Sequence, residues 1–501
     1  MPQAFLHFKS VQFSFDSSGP LFDNLSLTFP RGWTGIVGAN GAGKTTLLML
    51  ATGAYDPRRG RVERPDSSLY CPQRTDTTPP DMADLLESSD GEACRLRGVL
   101  GLGKDWALRW DSLSHGERKR AQIAAMLWRG PDVLAVDEPT NHIDAEARDL
   151  LAEALKGFRG IGLLVSHDRE LLDLLCGQCL FLDPPQITMR PGGYTAGRAE
   201  SLREEQGRRI RCERARSSAA ALEKQAVEKR FEAAKTRKRL SKRGIARGDQ
   251  DSKTRIDMAR ITGKDAVSGL AVRRLERRFE RASTEAESLA MKKKYDLGLW
   301  FESETARRDT LFSVPAGGLA LGEELRLSFP ELVAYPGDRI SLTGPNGCGK
   351  STLVRHIVNG LSIPRDRLIS LKQEMDAAES SLILENARSL PEWELGRLMS
   401  VVNLLGSDPK RLLESRTPSP GEARKLLIAA GISRVPHLIM LDEPTNHLDL
   451  PSIECLTIAL RECHCGILLV SHDKKFLGQL TQIQWIIGKP KGSQEYKLKV
   501  M

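Results

Sequence analysis

Residues 38–46 read GANGAGKTT, and residues 344–352 read GPNGCGKST. Each follows a short strand-like run, Gly32–Val37 in one case and Asp338–Thr343 in the other. Glycines accept backbone angles that other residues resist, and let amide N–H groups point inward at phosphates. The same companions follow each loop in the same order. LSHGE stands at 113–117 and PSPGE at 418–422; VDEPTNHID at 136–144 and LDEPTNHLD at 441–449; SHD at 166–168 and 471–473. Loop lysine to motif serine is 70 positions (44 to 114) in the first copy and 69 (350 to 419) in the second. Serine to aspartate is 23 in both copies, and aspartate to histidine is 30 in both. One phosphate loop arises by chance; two full sets in matched register mark a tandem repeat, which sets the architecture before anything else is read.

The motifs predict two nucleotide sites built on α/β sheets. Gly38, Asn40, Gly41 and Gly43 cradle phosphates in the first copy, and Gly344, Asn346, Gly347 and Gly349 in the second. Lys44 and Lys350 reach the β- and γ-phosphates, with Thr46 and Thr352 beside them, while Thr45 and Ser351 offer a hydroxyl to Mg²⁺. Helices after each loop aim positive dipole ends at the same anions. A buried strand then ends in paired carboxylates: Asp137 and Asp442 for the metal, Glu138 and Glu443 to orient or deprotonate the attacking water. His167 and His472 each follow an apolar strand, at the carboxyl end where ligands sit in such folds, and are candidate γ-phosphate contacts. Gln73 and Gln373 are candidate metal and water contacts by position.

At 501 residues, the chain is long enough for about three domains. The expected division is 1–195, 196–305 and 306–501. No run of about 18 apolar residues is present, so no membrane span is expected. The start, MPQAFLHFKS, does not read as a secretory signal, and nine scattered cysteines suit a reducing compartment, so a cytoplasmic location is expected. The pairs Cys176/Cys179 and Cys463/Cys465 have no second ligand pair at zinc spacing.

The net charge of +9 is unevenly placed. Residues 195–310 hold 31 Lys and Arg against 19 Asp and Glu, and the rest of the chain holds 43 against 46. The positive balance therefore belongs to the middle segment, and points to an anionic partner there. From 199 to 243 that segment is rich in Ala, Glu, Lys and Arg, and reads as a long helix spanning roughly 60 Å. A second helix is expected from 266 to 294. On it Val272, Leu275, Phe279, Ala282, Ala286 and Leu289 recur at alternating spacings of three and four, a coiled-coil seam answered by Ala215, Ala219, Leu222 and Ala226. The reading is an antiparallel helical hairpin with a densely basic tip at 240–264.

Taken together, these motifs resemble the ATP-binding cassette superfamily. DEPTNHxD in both copies, and two cassettes without a membrane span, look like its ABC-F family of translation factors. The resemblance implies an ATPase using ATP and Mg²⁺, a monomer whose cassettes close head to tail over two nucleotides. One site then pairs Lys44, Thr45, Gln73, Asp137, Glu138 and His167 with Ser419, Gly421 and Glu422. The other pairs Lys350, Ser351, Gln373, Asp442, Glu443 and His472 with Ser114, Gly116 and Glu117. The resemblance also implies a ribosome partner, with the hairpin reaching rRNA and the P-site tRNA, and a role in translation or antibiotic protection. Phe15 matches the aromatic that stacks on adenine; Phe312 is a weak counterpart in the second cassette. Pro418 and Pro420 depart from the usual signature and are expected to lie before the helix, where a missing N–H is tolerable. The alternative is the ATPase subunit of a transporter with separate membrane chains. Against it stands the short interval between phosphate loop and signature in both copies.

Overall fold

The computed structural model describes the chain outside residues 1–4, 16–18, 142, 185, 240–253, 255–257, 259–263, 290–305, 323–324, 362, 365–366, 373–376, 416, 433–434, 447 and 491–494. Gln373 and nearly all of the basic tip lie outside the described residues. Two compact units result: Met1–Gly197 together with Tyr295–Met501, and Arg198–Lys294.

In the first cassette, continuous apolar runs such as VLAV and GLLV are covered on both faces, as central parallel strands require. Six strands run in the order Ser68–Cys71, Val133–Asp137, Ile161–Val165, Gly32–Gly38, Cys176–Asp183, Gln186–Pro191; all pairs but the last are parallel. Beside it, Phe22–Phe29, Leu6–Phe13 and Arg59–Glu63 form an antiparallel sheet. The second cassette repeats the central order as Leu368–Leu371, Leu438–Asp442, Gly466–Val470, Arg339–Thr343, Ile483–Gly488, and extends it to eight strands. Both phosphate-loop strands therefore lie beside the strand that leads to SHD, and that strand lies beside the one ending in Asp-Glu. One register thus brings all three motifs to the same sheet edge. One cluster of buried apolar side chains runs from Trp33 and Leu172 in the first cassette to Leu450 and Leu480 in the second.

The second unit contains most of helix Tyr194–Arg239 and helix Lys264–Leu289. Cys212 Sγ lies 3.7 Å from the carbonyl of Ala286, and Arg230 Nε donates to Glu276 at 2.7 Å, so the helices run antiparallel. Cys212, Ala219 and Ala226 are buried at heptad spacing, with Ala215 and Leu222 half-buried between them; opposite, Ala286 is buried and Val272, Leu275, Phe279 and Ala282 are half-buried.

Candidate active sites

Each phosphate loop turns through left-handed glycines: Gly41 at φ +81° and Gly43 at +96°, Gly347 at +77° and Gly349 at +95°. A side chain at Gly43 would also meet the Phe22 ring at 2.8 Å. Lys44 Nζ donates to the carbonyls of Gly38 (2.8 Å) and Ala39 (3.1 Å), and Lys350 Nζ to those of Gly344 (2.8 Å) and Pro345 (3.0 Å). Burial lowers the Lys44 pKa, and Glu138, Asp449 and Asp137 work to keep it charged. Helices Lys44–Thr52 and Lys350–Asn359 start at these lysines, so Thr45, Thr46, Ser351 and Thr352 occupy first turns.

The Glu138 N–H donates to the carbonyl of Val165 (2.9 Å), and that of Glu443 to Val470 (2.8 Å). This links each Asp-Glu pair to the strand before SHD. Glu138 has φ +46° and Glu443 +48°. That conformation is strained for a residue with a side chain, by about 1–3 kcal/mol, and recurs where function over-determines the backbone. Burial raises both carboxyls to about 8. Asp442 Oδ1 is buried and makes no hydrogen bond, and Glu138 Oε1 and Glu443 Oε1 are buried with a histidine ring as their near polar neighbour. Thr45 Oγ1 donates to Asp137 Oδ2 at 2.7 Å, and a Ser351 hydrogen bond opposes the upward shift that burial gives Asp442. A hydroxyl and a carboxylate side by side, with a buried oxygen still lacking a donor, are a hard oxygen set that fits Mg²⁺. The glycine-rich loop with its lysine fits a triphosphate.

Each histidine lies by its glutamate, His472 Nε2 at 3.5 Å from Glu443 Oε1. His167 Nε2 lies 3.1 Å from Glu138 Oε1, and its backbone N–H donates to Glu138 Oε2 at 3.2 Å. His472 Nε2 lies 3.3 Å from Lys350 Nζ and 3.2 Å from Asn346 Oδ1. Burial, then Lys350, lower His472 to about 4, so it is neutral at pH 7.

Both signature serines sit in capping boxes. Ser114 Oγ donates to Glu117 Oε2 at 2.7 Å and accepts the Glu117 N–H at 3.3 Å; Ser419 and Glu422 repeat both distances. The helices they open are His115–Trp128 and Pro420–Ile432, placing Gly116 and Gly421 in first turns. Pro420 is therefore the first helical residue, not a residue before the helix. That place suits proline, whose missing N–H would have no helical partner there.

Two aspartates that motif reading passed over link the cassettes. Asp449 Oδ2 accepts the Asn40 N–H of the first phosphate loop at 2.8 Å, and Asp144 Oδ2 accepts that of Asn346 in the second at 3.4 Å. Each also caps its own helix, Leu450–Glu462 or Ala145–Lys156. An Asp just before a helical pattern is an N-cap signal, which could have singled them out. Lys425, on the second signature helix, lies 3.8 Å from Asp449, and both are buried. Ser114 and Gly116 line a cavity of about 260 Å³ with Asn346. Next to it, Lys350, Ser351, Asp442, Glu443 and His472 line one of about 710 Å³ with Asp144 and His167 of the first cassette.

Phe15 is half exposed, edge-on to Phe13 (5.2 Å) and Tyr55 (6.3 Å). Phe312 is buried against Trp485, and its ring is not open to a base, which removes it as the second aromatic. Gln73 is exposed on the loop after strand Ser68–Cys71. Tyr70, also missed, donates to Asp137 Oδ2 at 3.1 Å; its equivalent on the second edge strand is Ser370. Burial raises the Cys348 thiol, in keeping with an inert loop cysteine.

The ABC transporter family model matches residues 22–141 and 330–446. Over 473 residues the chain is 28% identical to the ribosome protection protein VmlR of Bacillus subtilis (strain 168), covering 90% of this chain and 81% of that protein. It is 29% identical over 523 residues to the tylosin resistance ATP-binding protein TlrC of Streptomyces fradiae, covering 89% and 90%. Among solved structures it resembles the archaeal ribosome recycling factor aABCE1, crystallised with the stalk protein aP1, at a TM-score of 0.62 and 18% identity, covering 98% of this chain and 89% of that one. That last likeness is one of fold.

Proposed function

We propose that the chain is an ABC-F-like tandem ATP-binding cassette protein, an ATPase using ATP with Mg²⁺, and that it acts on the ribosome through two composite sites. The observation that carries the composite sites is the reciprocal pair of aspartates, each reaching the other cassette's phosphate loop. Mg²⁺, when bound, neutralises charge on the phosphates. Thr45 with Asp137, and Ser351 with Asp442, hold it. Lys44 and Lys350 hold phosphate oxygens, exchanging loop carbonyls for the ligand. Glu138 and Glu443, fixed by their strained backbone, take a proton from the attacking water once ionised. Asn346 and Lys350 orient His472 towards the phosphate end of its site.

ATP joins the cassettes in this reading, hydrolysis releases them, and the basic segment 196–305 binds ribosomal RNA through phosphates. Similarity to a ribosome protection protein and a tylosin resistance protein supports a ribosomal partner and, more finely, protection against a ribosome-targeting antibiotic. Among the described residues, no helix is long and apolar enough to cross a membrane, and no observation favours the transporter alternative. The test is Glu138→Gln with Glu443→Gln in the full chain. With ATP the double variant co-sediments with ribosomes in a sucrose gradient; if it stays at the top of the gradient, the ribosomal reading is wrong.

A further inference from the structure

Five positions after each signature serine stands a buried cation: Lys119, 0% exposed, and Arg424, 2% exposed. Lys119 Nζ donates to the carbonyls of Pro72 (2.5 Å) and Gln73 (3.4 Å) and to Gln122 Oε1 (3.0 Å). Gln122 Nε2 donates to the carbonyl of Arg74 at 3.1 Å. Successive carbonyls at 72, 73 and 74 are thus gripped by two side chains one turn apart on helix His115–Trp128. In the second cassette, Arg424 Nη1 donates to the carbonyls of Glu443 (2.8 Å) and Asn446 (2.9 Å). Leu427 takes the place of Gln122 and has no donor to offer.

A buried cation costs several kcal/mol unless its donors are met, so neither residue is neutral filling. The carbonyl that Arg424 grips belongs to a glutamate already in the left-handed region. Such a backbone persists only where its surroundings hold it.

We propose that Lys119 with Gln122, and Arg424, are positioning residues for the reaction. The first pair sets the loop that presents Gln73 to the metal; Arg424 sets the turn that presents Glu443 to water. This rests on the two-site ATPase reading above. Each signature serine serves the opposite site. Each cation therefore joins a group acting at one nucleotide to the helix whose N-terminus acts at the other.

The test uses the full chain with ATP, and Mn²⁺ in place of Mg²⁺. Metal affinity is read by electron paramagnetic resonance, loop protection by amide hydrogen exchange over residues 71–76, and turnover by steady-state kinetics. Lys119→Met and Gln122→Leu each weaken one class of Mn²⁺ site by about tenfold, as loss of a supporting contact behind a ligand does. Both also speed exchange in the loop. Arg424→Met lowers kcat by roughly tenfold or more, and regains part of it as Arg424→Lys. Gln122→Leu keeps the buried charge and carries the test if Lys119→Met does not fold. Unchanged Mn²⁺ affinity and loop exchange in Gln122→Leu, or an unchanged kcat in Arg424→Met, overturns the proposal. No Mn²⁺–ATP binding by the parent chain would instead overturn the two-site reading beneath it, and this proposal with it.

Discussion

Glu138 and Glu443 are two carboxyls that burial holds near a pKa of 8, each on a backbone that most residues avoid. A base must be ionised to accept a proton, so kcat/KM, which reports the free enzyme, rises with pH through about 8. A pH–rate profile at limiting ATP checks this; a flat profile between pH 7 and 9 refutes it. The same shift has a stability consequence whose sign is definite. Below about pH 4.5 both folded and unfolded carboxyls are protonated, and the raised pKa favours the fold. As pH climbs, the unfolded chain ionises first, and that contribution is lost by the time pH passes about 8. Glutamine has no proton to lose. The double Glu→Gln variant therefore gains thermal stability over the parent as pH moves from 5 to 8. The gain is read as a widening difference in Tm, at about 2–4 °C per kcal/mol.

At the level of elements, Asp449 has three duties. It caps helix Leu450–Glu462, accepts an amide from the other cassette and faces the buried Lys425. Asp144 caps and reaches across but is only half buried. Losing a cap costs about 1 kcal/mol, and leaving a buried charge unpaired about 3–5 kcal/mol. Asp449→Ala is accordingly the more destabilising of the two by a few kcal/mol, measurable in denaturant unfolding. In the hairpin, Ala219→Glu puts a charge into the narrow seam and lowers helicity by circular dichroism, while the same change at exposed Val227 does not.

Strand–loop–helix units could be read from the chain because glycines and terminal carboxylates act locally, within a few residues of where they stand. Contacts made at long range were not legible. Asn40 meets Asp449 across 409 positions, Lys119 reaches the loop at 72–73, and Arg424 reaches the carbonyl of Glu443. The capping boxes are legible as Ser-x-x-Glu at 114–117 and 419–422. Cys212 in the hairpin seam is not, because a cysteine carries no heptad signal of its own.

Across the whole molecule, charge and cassette closure are separable. On the proposed ribosomal reading, the surplus of Lys and Arg between 195 and 310 is expected to make ribosome affinity fall steeply with salt, because each phosphate contact releases counterions. Raising salt from about 50 to 200 mM should weaken co-sedimentation of the Glu→Gln double variant by an order of magnitude or more. Pelleting at several ionic strengths measures this, and an affinity indifferent to salt would remove the hairpin as the RNA-binding element.

The two reciprocal aspartate links differ in length, 2.8 Å at Asn40 and 3.4 Å at Asn346, and the roomy cavity lies on the longer side. A clasp with one tight and one slack end parts at the slack end. On the proposed two-site reading, spent nucleotide at Lys350 is expected to exchange while the Lys44 side stays latched.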